Sequence, residues 1–93
     1  MNNKATPLVA VLMGSDSDLS TMVETSKMLE RFGVAHVMRI TSAHRSPKMT
    51  HEIVQTLEAG GVEVFVVGAG LAAHLAGAVA GITAKPVIGV PMG

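Results

Sequence analysis

The 93 residues, 48% of them hydrophobic, describe a single domain with a real interior and no room for a second core. Seven basic residues balance seven acidic ones and no run of like charge occurs, which argues against a nucleic-acid surface or a polybasic membrane patch. There is no cysteine, so disulfides, thiolate nucleophiles and Cys-ligated metal centres are excluded.

In chain order, PLVAVLM (7–13) reads as a strand buried on both faces, because its apolar run is nearly continuous. The loop GSDSD (14–18) follows. Either Gly14 makes a turn and Ser17 or Asp18 caps a helix, or Gly14 and Ser15 donate to a phosphate while Asp18 accepts from sugar hydroxyls. Asp16 and Asp18 would repel a phosphate set against them, so a sugar phosphate would have to lie with its ribose near an acid.

Residues 19–32 place Leu19, Met22, Val23, Leu29 and Phe32 on one helical stripe that Gly33 ends. VAHVMRIT (34–41) mixes His36 and Arg39 into apolar residues and fits a strand nearer the sheet edge. After SAHRSP (42–47), residues 47–59 form a second helix with Met49, Ile53, Val54 and Leu57 on its apolar face. Ser46 is its N-cap, Pro47 its first residue, and Gly60-Gly61 its end. VEVFVVG (62–68) is a third strand, residues 72–83 a small-residue helix able to pack closely or be wholly buried, and PVIGV (86–90) a fourth strand. The order β-α-β-α-β-α-β predicts a parallel α/β sheet with right-handed crossovers. GVPMG follows the fourth strand with no helix to cover it, so the chain is expected to be either truncated or completed by association.

Ligands of such sheets bind beyond the carboxyl ends of the strands, at loops running into helix N-termini. The three loops there hold most of the unusual polar residues. In SAHRSP, Arg45 offers a rigid fork for phosphate or carboxylate, Ser42 a hydroxyl, and His44 a group able to take and return a proton near neutrality. A lone loop His is more often surface decoration, but with Arg45 beside it at a strand's carboxyl end the catalytic reading gains. GAGLAAHLAG (68–77) fits the dinucleotide pattern G-x-G-x-x-A, yet no Asp or Glu follows Glu63 to hold a ribose. Its glycines more readily let backbone amides approach a smaller ligand. His74 is either a helix-start residue facing the site or a structural donor. His44, His51 and His74 show no zinc-site spacing, so no metal is expected. No apolar run nears the ~20 residues that span a bilayer, and no cleavage site follows the opening apolar run, so the expected location is cytoplasmic.

Taken together, VLMGSDSD, TSAHRSP, GAGLAAHLAG and KPVIGVP occur in an order that resembles the N5-carboxyaminoimidazole ribonucleotide mutase family (PurE) of purine biosynthesis, from about residue 8 onward. The resemblance implies a flavodoxin-like three-layer α/β/α fold with its C-terminal part missing, a homo-octamer, and a cofactor-free isomerase. That enzyme moves a carboxylate from the exocyclic nitrogen of an aminoimidazole ribonucleotide to its ring carbon. It further implies that Ser15, Ser42 and Arg45 hold the 5′-phosphate, Asp18 the ribose hydroxyls, and that His44 is the general acid/base. The loop around Gly70 and Leu71 would cover the imidazole and the migrating carbon dioxide, and His74 favours the mutase branch over direct carboxylation. The family's third loop reads G-A-G-G-A-A-H-L-P-G, so Leu71 and Ala76 are departures: Leu71 narrows the pocket and Ala76 removes a rigid Pro. The competing reading is a nonenzymatic phosphate- or nucleotide-binding α/β module, or an inactive remnant of the same family that kept the pocket. A flavin site is disfavoured with only Phe32 and Phe65 to stack, and a receiver domain because Gly68 stands where its Asp belongs.

Overall fold

Alternating apolar strands and amphipathic helices set the architecture of the computed structural model, which describes residues 6–42, 46–69 and 74–91. The elements are β1 (Val9–Met13), a 3-10 turn (Asp16–Asp18), α1 (Leu19–Arg31), β2 (His36–Ile40), α2 (Pro47–Ala59), β3 (Val64–Ala69), α3 (His74–Ala80) and β4 (Val87–Pro91). The four strands pair in the order β2-β1-β3-β4, and every pairing is parallel. Both the predicted α/β class and the placement of the second strand at an edge hold.

The strand period of two sorts the core into two layers. Ala10 and Leu12 of β1 point to one side, where they pack with Val54 of α2, Phe65 and Val67 of β3, and Leu75 and Val79 of α3. Val11 and Met13 point to the other side, against Met22 of α1. β1 is therefore buried on both faces, Ala10 through Met13 all at 0% exposure. Full burial of Val11, Leu12 and Met13 contributes about 1.5–3 kcal/mol each, so β1 anchors the three layers.

Gly33 and Gly61 end their helices in the same way. Both have positive φ, 69° and 115°. The next amide bonds back to the last turn, Val34 N–H to Leu29 O at 2.9 Å and Val62 N–H to Leu57 O at 3.1 Å. This left-handed cap is open to glycine with little strain, and it turns the chain directly into β2 and β3. The predicted stops at Gly33 and Gly60-Gly61 therefore hold.

The helix faces are narrower than the sequence stripes. In α1 only Met22 is fully buried; Leu19 is 41% exposed and Phe32 75%. Leu19 opens the first turn and Phe32 lies past the last, so both overhang the short sheet. In α2 the buried positions are Thr50 and Val54, while Met49 is 56% exposed. The contact face is rotated one residue from the predicted one, because α2 sits on the end of β2 through Thr50. α3 ends at Ala80 rather than 83 and is not wholly buried: Leu75 and Val79 face the core, whereas His74, Gly77 and Ala80 are exposed. Ala76 packs over β4 at Gly89, where an added Cβ would make ordinary van der Waals contact 3.5 Å from the Ala76 methyl. β4 is an outer strand among the described residues, and Ile88 on it is 54% exposed.

Candidate functional site at the carboxyl rim of the sheet

With all strands parallel, their carboxyl ends lie along one rim, and the neighbouring ends of β1 and β2 open into a cleft of about 570 Å³. Gly14, Ser15 and Asp16 form one wall. Ile40, Thr41, Ser42, Ser46 and Met49 form the other. The first wall is held by its own turn, with Asp18 N–H bonding Ser15 O at 3.2 Å and the Ser15 and Ser17 hydroxyls 2.6 Å apart. The second continues the sheet ladder one residue past β2, through Thr41 N–H to Met13 O at 2.8 Å.

The sequence explains this construction. Gly14 breaks β1, and an added Cβ there would meet nothing within 4 Å, so backbone lies open to the cleft. Ser46 takes the N-cap position of α2 with Pro47 after it, as expected, although its side chain makes no capping bond. Instead its carbonyl accepts from Thr50 N–H at 3.1 Å, and its own N–H donates to Ser42 O at 2.8 Å. Asp18 likewise stands at the N-cap of α1 without a side-chain cap. The positive end of the α2 dipole thus adjoins three seryl residues in one cleft, an arrangement that favours an anion. Asp16 lines the opposite wall, so an anion is favoured away from its carboxylate, among Ser15, Ser42 and Ser46.

Of the expected site residues, Ser15 and Ser42 are brought together in this cleft. Asp18 is half-buried in the 3-10 turn and is not among the lining residues. His74 opens α3, is exposed, and does not line the cleft either. His44, Arg45, Gly70 and Leu71 lie outside the described residues. Asp16, Ile40, Thr41 and Met49 were not foreseen as lining. Met49 could have been: it sits in the first turn of α2, beside the helix N-terminus, and a residue there faces the rim as easily as the core.

The model of a protein family described as AIR carboxylase matches residues 8–93. The chain belongs to the AIR carboxylase family. Among curated relatives, the N5-carboxyaminoimidazole ribonucleotide mutase of Pyrococcus abyssi is 52% identical over 86 residues, covering 92% of this chain and 49% of that protein. The mutase of Thermotoga maritima is 50% identical over 86 residues, with 92% and 50% covered. The chloroplastic phosphoribosylaminoimidazole carboxylase of Vigna aconitifolia is 47% identical over 85 residues, covering 91% of this chain and 15% of that one. The crystal structure of Treponema denticola PurE superposes with a TM-score of 0.87 at 31% identity, covering 92% of this chain and 55% of that chain. The fold of this AIR carboxylase family chain is accordingly flavodoxin-like. The chain spans about half the length of the curated mutases it matches. No helix among the described residues is long and apolar enough to cross a membrane.

Proposed function

We propose that this chain carries the ribonucleotide site of a purine-biosynthesis isomerase, which interconverts N5-carboxyaminoimidazole ribonucleotide and 4-carboxy-5-aminoimidazole ribonucleotide. The observation that carries the reading is the rim cleft, where Ser15 and Ser42 from two separate loops meet beside the N-terminus of α2. That cleft suits a 5′-phosphate, to which hydroxyls and helix amides can donate; Arg45 is assigned the cation that a chain of zero net charge must place deliberately. Asp18, one short turn from Ser15, is assigned the ribose hydroxyls. The relatives named as mutases and as a carboxylase of this ribonucleotide supply the chemistry.

The steps need only one proton and no cofactor. The bond between the exocyclic nitrogen and its carboxylate breaks, the electron pair stays on nitrogen, and protonated His44 supplies the proton there. Carbon dioxide leaves. The ring carbon, made nucleophilic by the free amine, attacks the trapped carbon dioxide and forms a carbon–carbon bond. Neutral His44 then removes the hydrogen on that carbon, restoring aromaticity and its own starting state. Trapping works by proximity in a dry pocket, a task assigned to the loop bearing Gly70 and Leu71, with His74 beside it. Assembly as a homo-octamer and a cytoplasmic location belong to the same proposal.

The test is His44→Asn. The variant is expected to lose conversion while retaining affinity for the ribonucleotide; equal activity removes His44 from its role. Ribonucleotide binding without any turnover, even when a full-length C-terminal part is supplied, would instead favour a nonenzymatic binding module.

A further inference from the structure

We propose that the buried Thr41–Thr50 hydroxyl pair is a positioning device that fixes Ser42 and Ser46, on one wall of the cleft, in register with the sheet. The inference rests on the ribonucleotide reading above for its functional consequence. Thr41 is 4% exposed and Thr50 0%, and their hydroxyls are 2.7 Å apart. They join the end of β2 to the first turn of α2. Thr41 immediately precedes Ser42, and Thr50 N–H bonds Ser46 O at 3.1 Å, while Ser46 N–H closes onto Ser42 O at 2.8 Å. Both ends of the wall are thus tied to the one hydroxyl contact.

Stability does not call for hydroxyls there. A buried neutral hydrogen bond nets about 1 kcal/mol, and replacing both partners by apolar groups of the same shape is close to neutral. What the hydroxyls add is direction. Methyl groups in contact let a helix slide along a strand, whereas an O–H···O bond holds only near 2.7–2.8 Å and a narrow range of angles. A buried polar pair serving register rather than energy has precedent as a physical device. Displacement of a binding group by about 1 Å can cost as much as 100-fold in a positioned reaction, so register here reaches the ligand through Ser42.

The experiment compares Thr41→Val, Thr50→Val, the double variant and Thr50→Ser in the whole chain. It measures the thermal midpoint, ribonucleotide affinity by calorimetry, and exchange of the Ser46 amide by NMR. Each single valine leaves a buried hydroxyl without its partner and lowers the midpoint; the double variant returns it to the parent's. Affinity is expected to fall at least fivefold in the double variant regardless, with Ser46 exchange at least tenfold faster, while Thr50→Ser keeps both near parental values. Parental affinity in the double variant, or affinity that merely follows the midpoint across the set, overturns the proposal, as does unchanged Ser46 exchange. Faster Ser46 exchange in a chain whose parent binds no ribonucleotide overturns the ribonucleotide reading and leaves the register device standing.

Discussion

Replacing Gly14 by alanine separates the fold from the function. Gly14 is the hinge between β1 and the first wall of the cleft. Its φ is not in the left-handed region, and an added Cβ would meet no atom within 4 Å. The folded chain therefore accepts the methyl without strain. Alanine narrows the conformations of the unfolded chain, which stabilises the native state by about 0.4–1 kcal/mol when the backbone is compatible. For a domain of this size that raises the melting temperature by roughly 2–8 °C. On the proposed reading a phosphate approaches the Gly14–Ser15 backbone, and a methyl on Gly14 would hold it off and lengthen its charge-assisted bonds. Ribonucleotide binding is expected to weaken at least tenfold, about 1.4 kcal/mol. Thermal unfolding and calorimetry on the same sample decide it. A raised midpoint with unchanged affinity would refute the argument that this backbone meets the ligand.

Other substitutions test neighbouring steps. Arg45→Ala should weaken any phosphorylated ligand by roughly 10- to 100-fold, the loss of a hydrogen bond to a charged group, as read by calorimetry; unchanged affinity moves the phosphate elsewhere. Gly61→Ala should destabilise by about 1–3 kcal/mol, because φ is 115° and the new Cβ would lie 2.6 Å from the Thr6 Cγ2 methyl. Urea unfolding checks this, and a neutral result would remove the strain argument. Leu12→Ala, at 0% exposure in the core between β1 and the α2–α3 layer, should cost about 2–5 kcal/mol. A loss under 1 kcal/mol in the same assay would show that β1 is not the anchor of the sheet.

Much of the fold was legible because its signals are local. Continuous Val and Leu in β1, the Ser46-Pro47 start, and the glycines that end α1 and α2 each follow from the backbone rules of a few residues. Two strand ends could be assigned to one rim as soon as the sheet was read as parallel. What sequence periodicity could not supply was the reach of the sheet beneath each helix. Leu19, Phe32 and Met49 continue their apolar stripes, but five-residue strands end before them, so they stay exposed. Thr50 shows the converse: a polar residue in the stripe's neighbourhood is wholly buried, because Thr41 across the layer satisfies its hydroxyl. Such a pairing joins two residues that only the tertiary fold brings together. The sequence marks Asp16 only as an acid that would repel a phosphate, and its place in the cleft wall requires the 3-10 turn that no spacing announces.

The most direct measurement is a crystal structure of the chain soaked with 5-aminoimidazole ribonucleotide. The phosphate is expected between the Gly14–Ser15 backbone and the residues Ser42 and Ser46, with the imidazole directed toward the third loop. Density instead in the cleft between Gln55, Glu58 and Lys85, at the other end of α2, would contradict the account.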